Sequence, residues 1–242
     1  MSSGKGVLVV FSGPSGAGKG TVLAEYFKSN PQAVYSISAT TRKPRPGERD
    51  GVDYHFVTRE AFEEMIARDE VIEYTLYNGN YYGSPAGPIR RELEAGRDVI
   101  LEIEVKGAAQ VRRKFPEALS IFVLPPSFAE LRRRLVGRGT ETDEEVRGRL
   151  ETARREVAMA AEYDYIVVND QVERAARCLG DIIRAAHCAR KFNPSLAEEL
   201  LREGEPPGAP GAQNTPGGPG GAAETPERSK KNGDCRGRCF PV

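Results

Sequence analysis

The stretch Gly13–Thr21 reads GPSGAGKGT, with Gly18 five positions after Gly13 and Lys19 directly behind it. That is the spacing of a phosphate-binding loop. Glycines let successive backbone N–H groups turn inward around an anion, and the start of a following helix adds a positive dipole. Lys19 would bring a mobile cation to the β- and γ-phosphates of a nucleotide. The whole run is therefore a candidate ATP-binding loop: Gly13, Pro14, Ser15, Gly16, Ala17, Gly18, Lys19, Gly20 and Thr21. A plain glycine turn with an exposed lysine is the alternative. Gly20 stands where a Ser or Thr usually offers Mg²⁺ a hydroxyl, which leaves Thr21 or ordered waters for that role.

A second concentration of chemistry lies at residues 38–57, SATTRKPRPGERDGVDYHFV. Arg42, Lys43, Arg45 and Arg49 crowd a segment that Pro44 and Pro46 keep from being a helix. Arginine's planar fork suits bidentate recognition of phosphate. Arg42 and Arg45, three apart and stiffened by proline, are expected to close on one phosphate from two sides, with Tyr54 as a further donor. A solvated basic hairpin is the competing reading. Lys43 and Arg49 have no expected ligand.

The third is Leu131–Leu150, LRRRLVGRGTETDEEVRGRL. Arginines beside a GRG turn suggest a lid that brings positive charge to a moving phosphoryl group, whose equatorial oxygens gain charge in the transition state. Charge runs are also commonly solvated helix faces. A phosphate oxygen is already nucleophilic, so no strong base is required, and His55 and His187 are not expected to be catalytic.

These groups need a frame to position them. Val7–Phe11, Asp98–Ile103, Leu119–Leu124 and Asp164–Asn169 are short apolar runs of the kind buried on both sheet faces. Helical patterns lie between them. Ser127 with Glu130, and Thr142 with Glu145, make capping boxes; Ser84-Pro85 and Gly96 bracket another helix. Alternation of strand and helix predicts an α/β fold, a parallel sheet with helices on both faces. Residues 38–84 break the rhythm. Tyr54–Val57 and Val71–Tyr77 are expected strands around a helix carrying Phe62, Met65 and Ile66, which makes an inserted small α+β lobe.

The 242 residues carry zero formal net charge, so neither a nucleic-acid coat nor a membrane anchor is indicated. No apolar run of about 18 residues exists, the N-terminus has no signal-peptide pattern, and four cysteines make no disulfide framework, so a cytoplasmic protein is expected. From residue 205 on, fifteen of 38 residues are Gly or Pro, a composition expected to be disordered. Cys235 and Cys239 lie there, without partners for a metal.

Taken together, Thr40-Thr41-Arg42-x-x-Arg45-x-x-Glu48-x-x-Gly51-x-x-Tyr54-x-Phe56-Val57 resembles the signature of the guanylate kinase family. Asn80-Tyr81-Tyr82-Gly83-Ser84, the Gly137–Thr142 run and Leu101–Gly107 are similar to its further motifs, and Gly-Lys-Gly-Thr resembles the loop of nucleoside monophosphate kinases. The resemblance spans about Val7 to Phe192. It implies a P-loop kinase fold over residues 1–195: a core at 1–37 and 85–195, a GMP-binding lobe at 38–84, a lid at about 134–150, and a tail at 196–242. It implies phosphorylation of GMP by ATP with Mg²⁺. GMP's phosphate would fall to Arg42, Arg45, Tyr54 and Tyr82, and guanine to Ser38, Glu73, Ser84 and Glu104. Guanine offers N1–H and N2–H₂ as adjacent donors that one carboxylate accepts, whereas adenine N1 would repel it. Lys19, Arg42, Arg134, Arg138 and Arg149 would stabilise the transferred group. Asn169 would meet adenine. Glu102 and Glu104 share one face of their strand, where either would order Mg²⁺ through water or both are plain strand-end acids. Glu104 and Lys106 depart from the family's Asp and Gln. Members occur as monomers and as oligomers. A non-catalytic interaction module of this fold, or another small P-loop kinase, would be the other readings.

Overall fold

Val7–Phe11 becomes the middle of the molecule because every residue in it is apolar and every one is buried. The computed structural model describes residues 5–136, 143–193 and 195–203. Strand β1 (Leu8–Ser12) leads through the glycine loop into helix α1 (Lys19–Ser29), followed by β2 (Val34–Tyr35), β3 (Ala39–Thr40), β4 (His55–Phe56) and α2 (Arg59–Ala67). A hairpin of β5 (Val71–Tyr77) and β6 (Asn80–Pro85) precedes α3 (Ala86–Glu94), β7 (Val99–Glu102), α4 (Val105–Lys114) and β8 (Leu119–Leu124). Then come α5 (Phe128–Val136), α6 (Asp143–Ala158), β9 (Tyr165–Val168), α7 (Val172–Cys188) and α8 (Leu196–Glu203).

The central sheet is parallel throughout, in the order β2-β7-β1-β8-β9. Successive side chains of a strand face opposite sides, and the core divides accordingly. Val9, Phe11, Ile121 and Val123 pack with Leu23, Tyr26, Leu179 and Ile183 of α1 and α7. On the other face, Val10, Val99, Leu101 and Phe122 pack with Ile89 of α3 and Val105, Ala108 and Val111 of α4. Fully burying each such side chain contributes about 1.5–3 kcal/mol, so truncating Phe11 would leave a hole under both α1 and α7. The expected parallel sheet with helices on both faces is what forms.

Residues 38–85 form their own sheet, in the order β4-β3-β6-β5, with β3/β6 and β5/β6 antiparallel. Asn78 and Gly79 have φ of +46° and +75°, the double positive φ of a tight hairpin turn. Thr58 caps α2 by accepting the Ala61 N–H at 3.1 Å. Phe62 of α2 stacks on Tyr81 of β6 with ring centroids 5.1 Å apart, which closes a small core with Ala39 and Val71.

Some expectations change in detail. Tyr54–Val57 shortens to β4, and β3 and β6 were not expected. The box at Ser127 is half formed: Ser127 Oγ accepts the Glu130 N–H at 3.1 Å, but the Glu130 carboxylate turns to Arg133 and Arg134. The expected tail at 196–242 opens instead with a helix, α8 (Leu196–Glu203), and its residues 204–242, with Cys235 and Cys239, lie outside the described residues, as do Arg138 and Thr142. Residues up to Glu199 group as one unit; the second begins at Leu200. Among the described residues Cys178 and Cys188 are free thiols, and no helix is long and apolar enough to cross a membrane.

Candidate active site

The parallel strands of the central sheet share one C-terminal edge, where the glycine loop, Glu102 and Asn169 lie, while Glu73, Tyr82 and Ser84 come from the antiparallel β5 and β6 of the small sheet. Gly18 opens α1 with φ +87°, a conformation that costs glycine little. A Cβ on it would stand 2.4 Å from Asn169 Nδ2. That amide, at the end of β9 and 3% exposed, donates to the Ala17 carbonyl at 2.8 Å. Lys19 Nζ donates to the Gly13 and Pro14 carbonyls at 2.7 and 3.2 Å. Burial pushes the Lys19 ammonium below its ordinary pKa, and the carboxylates of Glu102, Glu156 and Glu104 oppose that shift. Ser15, Gly16, Gly18, Lys19, Gly20 and Thr21 line a cleft that Glu102 and Arg134 complete.

Arg134 of α5 is tied to this loop. Its Nη1 donates to the Ala17 carbonyl at 3.1 Å, its Nη2 to the Asn169 carbonyl at 2.9 Å, and its Nε to Glu130 at 2.8 Å. The Glu130 carboxyl, with Arg133 the larger influence and Arg134 the next, is held at about 2. Arg149 of α6 donates to Ser15 Oγ at 2.8 Å. Arg132, Arg133 and Arg147 are exposed, as solvated helix-face residues would be.

A second cavity, of about 280 Å³, lies between the small sheet and the end of β7, near the lower end of ligand-pocket sizes. Ser38, Tyr54, Glu73, Tyr82 and Glu104 all line it. Glu73 sits in β5, 4% exposed, and accepts a hydrogen bond from Ser84 Oγ of β6 at 2.8 Å. Burial raises the Glu73 carboxyl to about 7; the Ser84 bond opposes this and Glu104 adds to it. Gly107 of α4 backs the carboxylate so closely that a Cβ there would stand 2.3 Å from Oε2.

Arg42, Tyr54 and Tyr82 come together beside this cavity: the Arg42 guanidinium carbon is 5.4 Å from the Tyr54 ring centre, and the two tyrosine rings meet edge-on at 6.0 Å. The exposed Arg45 side chain lines a neighbouring cleft with Lys106, Arg149 and Glu156, and that cleft shares Thr75, Tyr77 and Glu104 with this cavity. Two acids were unassigned in the sequence. Glu48 pairs with Arg42, and nothing in a Pro-rich loop signals that pairing. Glu156, raised by burial and facing Lys19 and Glu104, lies seven residues after Arg149 and so on the same helix face, a spacing the sequence did offer.

A parallel sheet whose middle strand feeds a glycine loop, with an acid-lined lobe inserted across the cleft, defines the class as a P-loop phosphotransferase of the nucleoside monophosphate kinase type. Comparison sharpens this. The guanylate kinase family model matches residues 5–186, and the chain belongs to the guanylate kinase family. It is 51% identical over 191 residues to guanylate kinase from Halalkalibacterium halodurans, covering 79% of this chain and 94% of that one. Its identity to guanylate kinase from Desulfitobacterium hafniense is 50% over 194 residues, covering 80% and 97%. The crystal structure of guanylate kinase from Anaplasma phagocytophilum superposes with a TM-score of 0.67 at 33% identity, covering 82% of this chain and 95% of that one.

Proposed function

We propose that this chain transfers the γ-phosphoryl group of ATP to GMP, giving ADP and GDP, with the residues described above in the following roles. The observation that carries the reading is Glu73: a carboxylate held by Ser84 at 2.8 Å inside a cavity that also presents Tyr54 and Tyr82. Ionised, it would accept guanine N1–H and N2–H₂ together, with Ser38, Ser84 and Glu104 completing the base site. Arg42, Tyr54 and Tyr82 would hold the acceptor phosphate, with Arg45 reaching in from the neighbouring cleft. The loop Gly13–Thr21 would bind the ATP phosphates, and Lys19 would exchange its loop carbonyls for phosphate oxygens. Asn169 keeps its Oδ1 buried with no hydrogen-bond partner among the described residues, which supports a role near the adenine amino group. Arg134, Arg149 and Arg138 would neutralise charge that builds on the moving group. Residues 1–37 and 85–195 then serve as nucleotide core, 38–84 as GMP lobe and about 134–150 as lid.

Mg²⁺ fits this site as an ion held chiefly by phosphates and waters. No group of three acidic or metal-binding side chains is clustered among the described residues, yet Thr21 and Glu102 line the loop cleft where hydrated metal would sit. When bound it would neutralise β- and γ-oxygens.

The test is product analysis by chromatography. ATP, Mg²⁺ and GMP should yield ADP and GDP in equal amounts; ADP without GDP would overturn the reading.

A further inference from the structure

Arg42 is clamped by residues of its own loop. Its Nη2 donates to Glu48 Oε1 and its Nη1 to Glu48 Oε2, both at 2.9 Å. Nη1 also donates to the Lys43 carbonyl at 2.7 Å. Glu48 in turn is fastened to the backbone of its own loop: Oε2 accepts the Arg45 N–H at 2.7 Å, and the Glu48 N–H donates to the Arg45 carbonyl at 3.0 Å. Both side chains are largely shielded, 15% and 19% exposed.

A guanidinium has five N–H groups. Glu48 and Lys43 take both on Nη1 and one on Nη2. What remains is the edge formed by Nε and the second Nη2 hydrogen. That edge is itself a two-pronged donor, matched to two oxygens of a phosphate.

We propose that Glu48 is a positioning residue for the acceptor substrate: by fixing the end of the Arg42 fork and the Arg45 turn, it presents the Nε–Nη2 edge of Arg42 to a phosphate monoester. This rests on Arg42 holding the GMP phosphate. A carboxylate here subtracts from the positive field that a phosphate dianion feels, so its benefit must come from preorganisation. The opposite role, a stand-in that the phosphate displaces, suits a freely swinging side chain; the Glu48 carboxylate is anchored to the Arg45 N–H at 2.7 Å, in a turn closed by the Glu48 N–H on the Arg45 carbonyl.

Calorimetric binding of GMP and of guanosine, which lacks the phosphate, separates these roles. Glu48→Gln should weaken GMP binding roughly tenfold to a hundredfold and raise KM for GMP by a similar factor, with KM for ATP unchanged. Guanosine binding should stay within about twofold, which a misfolded lobe would not allow. In a double-mutant cycle, most of the Glu48→Gln effect should vanish on the Arg42→Ala background, because Glu48 acts through Arg42. Unchanged or tighter GMP binding in Glu48→Gln, parallel loss of guanosine, or full additivity would each overturn the proposal. If Arg42→Ala alone leaves GMP binding intact, the assignment of Arg42 falls and the brace with it. If Arg42→Ala weakens GMP and Glu48→Gln does not, only the brace falls.

Discussion

The Glu73 carboxylate and the Ser84 hydroxyl meet at 2.8 Å across the β5–β6 pair, both buried. Bonding from Ser84 does not offset the burial of the carboxylate, whose pKa is pushed up to about 7. Guanine's two donors favour the ionised form, so they lower this pKa on binding. The sign follows by linkage: below the free-protein value, GMP binding must expel a proton, and affinity falls by up to about tenfold per pH unit. KM for GMP should therefore rise as pH is lowered from about 8 to about 6.5, an interval over which the phosphate, titrating near 6, changes charge much less than the carboxyl. In Glu73→Gln the same profile should be flat.

Gly107 tests the wall behind that carboxylate. Gly107→Ala puts a methyl 2.3 Å from Glu73 Oε2, and overpacking of this kind costs about 1–3 kcal/mol. The carboxylate must move off Ser84. KM for GMP should rise tenfold or more on the order of that energy, while KM for ATP stays near wild type. An equal rise for both substrates would mean the helix, not the base site, was disturbed.

Lys19 is surrounded by Glu102, Glu156 and Glu104. Lys19→Met leaves those carboxylates facing the nucleotide phosphates without their cation. The turnover number should drop by roughly 10²–10³, and the rise in Tm that ATP–Mg²⁺ gives the wild type should shrink. A variant with normal turnover would remove Lys19 from the phosphoryl-transfer site.

Asn169 links the last strand to the glycine loop through Ala17, and Arg134 bonds both of them. Asn169→Ala should raise KM for ATP more than KM for GMP and lower stability by about 0.5–1.5 kcal/mol, the net worth of one hydrogen bond, because the Ala17 carbonyl keeps its Arg134 donor. Urea unfolding and separate titration of the two substrates measure the two effects.

Much of this arrangement is written in local sequence. VLVVF announces a strand buried on both faces, and GPSGAGKGT announces the loop it feeds. Val71–Tyr77 is bounded in the sequence as it is in the fold. Strand β6 was hidden because Gly83 and Pro85 depress strand propensity; pairing with β3 and β5 makes it a strand all the same. Glu48 was visible as a residue and mute as a role, since its partner is set by a loop conformation with no periodicity to read.

The most direct test of the central claim is the ratio of kcat/KM for GMP over AMP, in wild type and in Glu73→Gln. A site built to accept two donors rejects a base lacking them by on the order of 10⁴ or more. The wild type should show that preference, and Glu73→Gln should lose most of it through a rise in KM for GMP. A wild type that uses AMP as well as GMP, or a Glu73→Gln variant that keeps the full ratio, would contradict Glu73 as the guanine reader of this kinase.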